Sequence, residues 1–387
     1  MKRNSLSAMQ DEFAGYRRQM HKNPQTAYEE TFASDLVAQK LDEWGIKHER
    51  GFGKTGIVAT IEGQKTDSGS SIGLRADMDA LDIEEASGQP WTSNNPGKMH
   101  ACGHDGHTTI LLGAAKYLND TKNFNGKVHF IFQPAEEGQK GAKAMMDDGL
   151  FNKYPCDEVY GLHNWPWLDL GKMSVRSGHF FAASDVLEFS VKAKGGHAAF
   201  PNQTIDPVIV AMNIINSLQT IISREIDPTD PAVISVTNVN IGTGAQNIID
   251  ESADIKASIR SFKSETRDYI HRRIEEMCHD IAKAHRAEIK NFNAMRVIDP
   301  TVNDPKATDF AFGVAQSVFG AENCDDNHPL IMGGEDFGAF AEDRPGAYIL
   351  LGQKDAANKN SPHNHGLHSP YYDFNDEVLP LGMEHFA

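Results

Sequence analysis

Side chains able to bind a metal ion are spread from residue 102 to residue 368, and this spread constrains the fold more than any other feature of the chain. One site can use them only if segments distant in sequence meet at the same place. Together they offer a thiolate, imidazoles and a carboxylate, a mixture that suits zinc, manganese, cobalt or nickel. The residues are Cys102, His104, Glu137, His163 and His368.

Cys102 and His104 lie in the segment Met99-His-Ala-Cys-Gly-His-Asp-Gly-His107. A thiolate can donate lone pairs to two cations, so Cys102 can bridge a pair of metal ions. Gly103 relaxes the backbone between the two ligands. The apolar residues that follow, up to Leu118, have helical spacing, which predicts a loop that leads into a helix N-terminus. The charge of a thiolate is stabilised there.

Two adjacent carboxylates follow a predicted buried strand. The segment Val128–Phe132, apolar except for His129, ends at Gln133-Pro134 and delivers Glu136 and Glu137 to the carboxyl end of the strand, where open α/β sheets keep their sites. If Glu137 binds metal, Glu136 remains available as a general base, and we expect partial burial to raise its pKa. Each motif alone is weak evidence; it is their combination that indicates a metal site.

Further motifs run from near the first residue to near the last. They are Arg17-Arg-Gln-Met-His-Lys-Asn-Pro24, Gly73-Leu-Arg-Ala-Asp-Met-Asp-Ala-Leu81, Gly161-Leu-His-Asn164, Gly195-Gly-His197, Gly333-Gly-Glu-Asp-Phe337 and His368-Ser-Pro370. With the two segments above, they resemble the aminoacylase/carboxypeptidase family of metal-dependent amidohydrolases. The resemblance is to the branch that contains hippurate hydrolase, N-acetyl-amino-acid deacetylases and plant indole-acetyl-amino-acid hydrolases, and it covers essentially the whole chain.

The resemblance implies a site with two divalent metal ions per subunit, zinc, manganese, cobalt or nickel. Matching the motifs residue by residue places Cys102 at the bridge between the ions. His104 and His163 then bind one ion, and Glu137 and His368 bind the other.

The resemblance also assigns residues beyond the ligands. Glu136 falls on the catalytic base of the family, and Asp79 falls on a carboxylate that orients a ligand histidine and fixes its tautomer. Asp77 and Arg75 have a weaker case, because charged residues at a strand end can simply form a salt bridge.

Three further residues resemble substrate contacts of the family. His197 is expected to polarise the scissile carbonyl, commonly in the active site of the partner subunit. Asn247 and Arg260 match an amide and a guanidinium that bind the substrate, and the fork of an arginine suits an α-carboxylate. A loop histidine or an edge-strand arginine that only faces solvent is the alternative.

The hydrophobic period changes along the chain. Up to residue 180, helical patterns alternate with short apolar strands such as Gly56–Ile61 and Ile72–Leu74, which predicts a mostly parallel sheet flanked by helices. Leu187–Ala193 and Ile255–Ile259 instead alternate apolar and polar residues, as in an antiparallel sheet with one solvated face. The element order strand, helix, strand, strand, helix, strand in this region is that of a ferredoxin-like unit.

We therefore predict an α/β fold with two domains, as the length of 387 residues also favours. Residues 1–180 and 297–387 form a discontinuous catalytic domain of the zinc-exopeptidase type, because His368 must meet Cys102. Residues 181–296 form an inserted ferredoxin-like α+β domain that serves as a lid and in dimerisation.

Composition limits the partners and the compartment. Lys plus Arg number 37 against 54 for Asp plus Glu, and the net charge of -17 repels nucleic acid and anionic lipid. We expect a small-molecule substrate, no nucleic acid and no membrane. The start lacks the apolar region of a signal peptide, so we expect a cytoplasmic protein, and the resemblance adds a homodimer or homotetramer. The chain ends within a predicted helix, so we expect a shortened C-terminus.

The predicted reaction is hydrolysis of N-acyl amino acids, with N-acetyl, N-benzoyl or similar groups, to a carboxylate and a free amino acid. A dipeptidase or carboxypeptidase with the same mechanism is the nearest alternative. A non-catalytic metal-binding protein would have no use for Glu136, and a thiol redox protein would need a second cysteine near Cys102. Aromatic residues either line an acyl pocket or fill the domain junction: Trp165, Trp167, Phe180 and Phe181.

Overall fold

The structure is a computed structural model that describes residues 4–387. The chain forms two compact units. Unit 1 contains the residues up to Phe180 together with Thr301–Pro329 and Asp336–Ala387, and unit 2 contains Phe181–Pro300 and Leu330–Glu335. No sequence pattern indicated that Leu330–Glu335 belongs with the preceding inserted region.

Extended segments form one large sheet, one smaller sheet and two short strand pairs. In chain order the strands are β1 (His48–Phe52), β2 (Gly56–Glu62), β3 (Ser71–Asp77), β4 (Lys127–Gln133), β5 (Glu158–Asp169), β6 (Met173–Ser174), β7 (Gly178–Phe181), β8 (Ala183–Lys192), β9 (Gly196–His197), β10 (Ala232–Ile241), β11 (Ile248–Ile249), β12 (Ser252–Ser261), β13 (Glu288–Ile298), β14 (Thr301–Asn303), β15 (Cys324–Asp325) and β16 (Gly346–Lys354).

Helices occur in both units, and none among the described residues is long and apolar enough to cross a lipid bilayer. In chain order they are α1 (Asn4–Ser7), α2 (Gln10–Lys22), α3 (Thr31–Glu43), α4 (His104–Thr121), α5 (Gly141–Asp147), α6 (Leu150–Lys153), α7 (Pro207–Thr220), α8 (Ser264–Ala284), α9 (Pro305–Phe319), α10 (Gly338–Asp343) and α11 (Val378–Phe386).

The large sheet belongs to unit 1 and confirms the predicted, mostly parallel α/β fold. Its strand order is β1-β2-β4-β3-β5-β16-β6-β15, and the central pairs β4–β3, β3–β5 and β5–β16 are parallel. The residues of β16 from Gly346 to Gln353 are all buried, as expected for a strand covered on both faces. β2 differs from the prediction, because it pairs antiparallel with both neighbours and makes this edge of the sheet mixed.

The smaller sheet, in unit 2, is antiparallel throughout and has the strand order β10-β12-β8-β13. Its chain order β8, α7, β10, β12, α8, β13 is the predicted ferredoxin-like order. Alternate residues of β8 are buried, as the sequence pattern indicated, and they contribute to a separate apolar core with the inner faces of the two helices. That core includes Leu187, Phe189, Val191, Ile214, Leu218, Ile270 and Ile274.

Aspartate caps in the sequence account for where helices α9 and α7 begin. α9 begins after Asp304, whose carboxylate accepts hydrogen bonds from the backbone N–H groups of Lys306 and Ala307 at 2.9 and 3.0 Å. Pro305 then occupies the first helical position, where a missing N–H costs nothing. Asp206 caps α7 in the same way.

Candidate metal centre

Unit 1 brings all the predicted ligands together in two groups. The donor atoms of Cys102, His104 and His163 lie within 4.8 Å of one another, and so do those of Cys102, Glu137 and His368. We call these groups the first triad and the second triad. They share Cys102, which is the arrangement that a bridging thiolate requires. His104 is the first residue of α4, whereas the sequence pattern placed it in the preceding loop.

Asp79 connects the two triads. Its Oδ1 lies 3.2 Å from His104 Nδ1, and its Oδ2 accepts a hydrogen bond from the backbone N–H of Glu137 at 3.0 Å. His104 Nε2, on the other side of the ring, is buried, makes no hydrogen bond with the described residues and lies 3.8 Å from Asp77 Oδ2. A buried ring nitrogen that makes no hydrogen bond is costly, so this position fits a bound cation.

His163 is oriented by the chain that follows it. Its Nδ1 lies 2.7 Å from the carbonyl oxygen of Asn164, and its Nε2 lies 3.4 Å from Cys102 Sγ. A proton on Nδ1 leaves the lone pair of Nε2 directed at the thiol. Burial and the neighbouring His107 hold the pKa of His163 well below its ordinary value. The ring therefore stays neutral, which is the form that binds a metal ion.

His104 has the opposite electrostatic environment. Burial disfavours its charge, but Asp77 and Cys102 outweigh burial and hold the pKa of His104 well above its ordinary value. Burial and the charge of Glu137 raise the pKa of the Cys102 thiol. Both shifts keep protons on donor atoms, and a divalent cation displaces such protons when it binds.

The second triad is closed by a loop after β16. His368 has a left-handed backbone with φ of 63°, and its N–H donates to the carbonyl oxygen of Ala101 at 2.8 Å. This bond fixes His368 beside the segment that carries Cys102. His368 Nε2 lies 3.2 Å from Glu137 Oε1, and hydrogen bonds to Cys102 and Glu137 raise the pKa of His368 to about 10.

Glu136 lies next to the triads but belongs to neither. Its side chain is 6% exposed, and one of its carboxylate oxygens lies within 4.8 Å of donor atoms of His104 and Glu137. Its Oε1 accepts a hydrogen bond from the backbone N–H of Asp336 at 3.3 Å. This is the position in which a carboxylate can exchange a proton with a molecule held at the triads.

A buried polar network extends from the triads, and sequence reasoning identified it only in part. Asp77 Oδ1 lies 2.7 Å from His107 Nδ1, and Arg75 donates to Asp77 Oδ2 at 2.8 Å and to Asp336 Oδ1 at 3.1 Å. Asp77, His104 and His107 also have donor atoms within 4.8 Å of one another. Both oxygens of Asp77 are already engaged, so we interpret this group as internal support. In the sequence, only the Gly333–Phe337 motif indicated that Asp336 has a role near the site.

The predicted substrate contacts all lie in unit 2. His197, in β9, is exposed, and its Nδ1 accepts a hydrogen bond from the N–H of Ala199 at 3.1 Å. The carbonyl oxygen of Asn247 accepts from the N–H of Ala198 at 3.0 Å, so His197 and Asn247 lie on neighbouring segments. Arg260 is in β12 and partly buried, and its Nη1 is buried without a hydrogen-bond partner in the described chain. Their contacts with substrate stay predictions.

A mostly parallel sheet that brings together two triads of side chains able to bind metal ions is typical of a metal-binding hydrolase. Sequence comparison identifies the family within this class of hydrolases, because the model of peptidase family M20/M25/M40 matches residues 73–387. The chain belongs to this family. The resemblance seen in the sequence motifs is thereby confirmed, and the protein is an amidohydrolase.

Three similar proteins illustrate the relationship. Hippurate hydrolase of Campylobacter jejuni subsp. jejuni serotype O:2 is 43% identical over 379 residues, covering 98% of this chain and 96% of its own. IAA-amino acid hydrolase ILR1-like 2 of Arabidopsis thaliana is 40% identical over 370 residues, covering 95% and 81%. The crystal structure of the Bacillus subtilis YXEP protein, a dinuclear metal-binding peptidase of the M20 family, matches with a TM-score of 0.82 at 29% identity, covering 98% and 97%.

Proposed function

We propose that this protein uses two divalent metal ions per subunit to hydrolyse the amide bond of N-acyl amino acids, releasing a carboxylate and a free amino acid. The observation that carries the proposal is the pair of triads that share Cys102, with Glu136 beside them. Two of the similar proteins are named for hydrolysis of this substrate class, hippurate and IAA-amino acids.

The donor set supports the metal part of the proposal. Cys102, His104 and His163 would hold one ion, and Cys102, Glu137 and His368 would hold the other. Zinc, manganese, cobalt and nickel all accept such a mixture of sulfur, nitrogen and oxygen donors. Ions of this kind, when bound, polarise a carbonyl group and make water more acidic.

Glu136 supplies the proton transfers. It removes a proton from the attacking water as the new C–O bond forms at the scissile carbonyl, and it returns that proton to the leaving nitrogen as the C–N bond breaks. Its burial and the N–H of Asp336 at 3.3 Å hold the carboxylate in one place. Asp79 keeps His104 in the tautomer whose Nε2 faces the first triad.

Residues 1–180 and 297–387 are assigned the catalytic role, and residues 181–296 the role of a lid and dimerisation domain. His197 polarises the scissile carbonyl, while Asn247 and Arg260 bind the substrate. The unpartnered Nη1 of Arg260 supports this assignment, because a substrate carboxylate would satisfy a partly buried charge. We further propose that the protein acts on a small-molecule substrate in the cytoplasm. In this proposal it forms a homodimer or a homotetramer.

The test is release of amino acid from N-acetyl, N-benzoyl and dipeptide substrates by protein reloaded with each candidate metal. We expect turnover of the N-acyl substrates that a chelator abolishes. Glu136→Gln should retain both metal ions, measured by elemental analysis, and lose about 10²- to 10⁴-fold in kcat. Hydrolysis by Glu136→Gln at the parental rate would show that the base is wrongly assigned. Turnover confined to dipeptides with a free amine would favour a dipeptidase.

A further inference from the structure

A row of rings extends from one predicted metal ligand along strand β5. His163 and Trp165 are alternate residues of this strand, so their side chains lie on the same face. The strand is irregular between Trp165 and Asp169, and Trp167 continues the row through its contact with the ring of Trp165. The ring of Trp165 is edge-on to that of His163, with centroids 6.2 Å apart. Trp167 packs against Trp165 in a T-shaped contact at 4.7 Å. The indoles therefore begin beside the first triad and lead away from it.

Trp165 is held in place by neighbours in unit 1. The ring of His328 lies 6.1 Å from it at an interplanar angle of 85°. His328 in turn packs against the buried ring of Phe180 at 5.7 Å, and its Nδ1 lies 2.7 Å from the carbonyl oxygen of Pro329. A fixed ring presents its face without further loss of conformational freedom when a ligand binds.

Trp167 is 59% exposed, although it is among the largest apolar side chains of the chain. It also approaches the loop that leads to the second triad: a Cβ at Gly366 would lie 3.2 Å from Cζ2 of Trp167. Gly366 precedes His368 by two residues. Trp167 thus stands next to segments that carry ligands of both triads, which is where a substituent of a bound substrate would extend.

We propose that Trp165 and Trp167 form a binding site for an aromatic ring of the substrate. The proposal rests on the hydrolysis of N-acyl amino acids proposed above. Indole rings bind other aromatic rings through edge-to-face and offset contacts, which an acetyl or methyl group cannot make. The ring belongs either to the acyl group, as in N-benzoyl-alanine, or to the amino acid, as in N-acetyl-phenylalanine.

The experiment compares Trp167→Leu with the parent enzyme on N-acetyl-alanine, N-benzoyl-alanine and N-acetyl-phenylalanine. Leucine keeps an apolar side chain but removes the ring. We expect the ratio of kcat/KM for one aromatic substrate to that for N-acetyl-alanine to fall about tenfold. The substrate whose ratio falls identifies the end of the amide that carries the ring. Phe310→Leu removes a ring of similar exposure, 58%, on α9 and should leave both ratios unchanged.

If both ratios in Trp167→Leu equal those of the parent, the proposal is wrong. Metal content is measured in every variant, so that a loss of ions is not mistaken for a loss of specificity. Binding of N-benzoyl-alanine and N-acetyl-phenylalanine to the Glu136→Gln protein, with and without Trp167→Leu, separates this proposal from the proposed reaction. A parent that hydrolyses none of the substrates contradicts the reaction. Equal dissociation constants with and without the tryptophan contradict the aromatic site.

Discussion

At the scale of single residues, Gly103 shows how closely the backbone is fitted to the two triads. It separates Cys102 from His104 and has φ of 95°. A Cβ at this position would lie 2.3 Å from Asn164 Oδ1 and 2.6 Å from the hydroxyl oxygen of Tyr372. Asn164 Nδ2 donates a hydrogen bond to the Tyr372 hydroxyl at 2.7 Å, and Asn164 Oδ1 lies 2.7 Å from His107 Nε2. Both side chains are buried, so neither has room to move. Glycine is therefore required here both for backbone conformation and for space.

We predict that Gly103→Ala weakens metal binding and lowers the free energy of unfolding. The control is Gly69→Ala, which has a similar φ of 70° but nothing within 4 Å of the new Cβ. Gly69→Ala should cost about 1 kcal/mol for the left-handed backbone alone. Gly103→Ala should cost at least about 2 kcal/mol more because of the overlap with Asn164 and Tyr372. Urea unfolding and metal titration measure both effects, and equal losses in the two variants would contradict this explanation.

At the scale of secondary-structure elements, Asp336 joins strands β3 and β4 to the segment before α10. Its Oδ1 accepts hydrogen bonds from Arg75 at 3.1 Å and from Gln133 at 2.7 Å, and its Oδ2 accepts from the N–H of Ala142 at 2.9 Å. The backbone N–H of the same residue donates to Glu136. The position of the proposed base is thus coupled to a buried charge pair.

We predict that Asp336→Asn destabilises the protein by about 3 kcal/mol, because the substitution removes one carboxylate from a buried arginine and leaves the guanidinium less well compensated. Asp268→Asn breaks a surface pair with Arg296 and should have little effect on stability. Urea unfolding of metal-free protein measures both. A loss for Asp336→Asn no larger than that for Asp268→Asn would show that the network does not support the fold.

The positions of helices and strands could be predicted from the sequence better than the pairing of strands or the contacts between distant side chains. The predicted strand Val128–Phe132 lies inside β4, and the predicted helix after His107 lies inside α4, because hydrophobic patterning is a local signal. The antiparallel pairing of β2 has no such signal. The contact of Arg75 with Asp336 joins residues 261 positions apart, and no spacing in the chain indicates it. The approach of His368 to Cys102 could be predicted only from the hypothesis that both residues bind metal at one site.

At the scale of the whole molecule, burial of a histidine makes stability depend on pH. His385, in α11, packs against Phe319 and Phe386 with ring centroids 6.4 and 6.2 Å away. Burial lowers the pKa of His385 to about 4. The unfolded chain binds this proton near pH 6.5 and the folded chain only near pH 4. The contribution of neutral His385 to the free energy of unfolding is therefore fully present above pH 6.5 and decreases as the pH falls to about 4.

We predict that His385→Phe removes a contribution of about 3 kcal/mol to the loss of stability between pH 6.5 and 4. The free energy of unfolding is measured by urea titration at several pH values, with chelator present so that release of metal does not contribute. His279→Phe, at an exposed position on α8, should leave the pH dependence of the parent. An unchanged slope in His385→Phe would mean that this histidine is not the group that titrates.

Every function proposed for this protein depends on two divalent ions that share the thiolate of Cys102. Anomalous X-ray diffraction from crystals of the zinc-loaded protein, recorded on both sides of the zinc absorption edge, tests this most directly. We expect two zinc ions per chain, one bound by His104 and His163, the other by Glu137 and His368, and both bound by Cys102 Sγ. A single ion, or two ions without Cys102 between them, would contradict the shared-thiolate site.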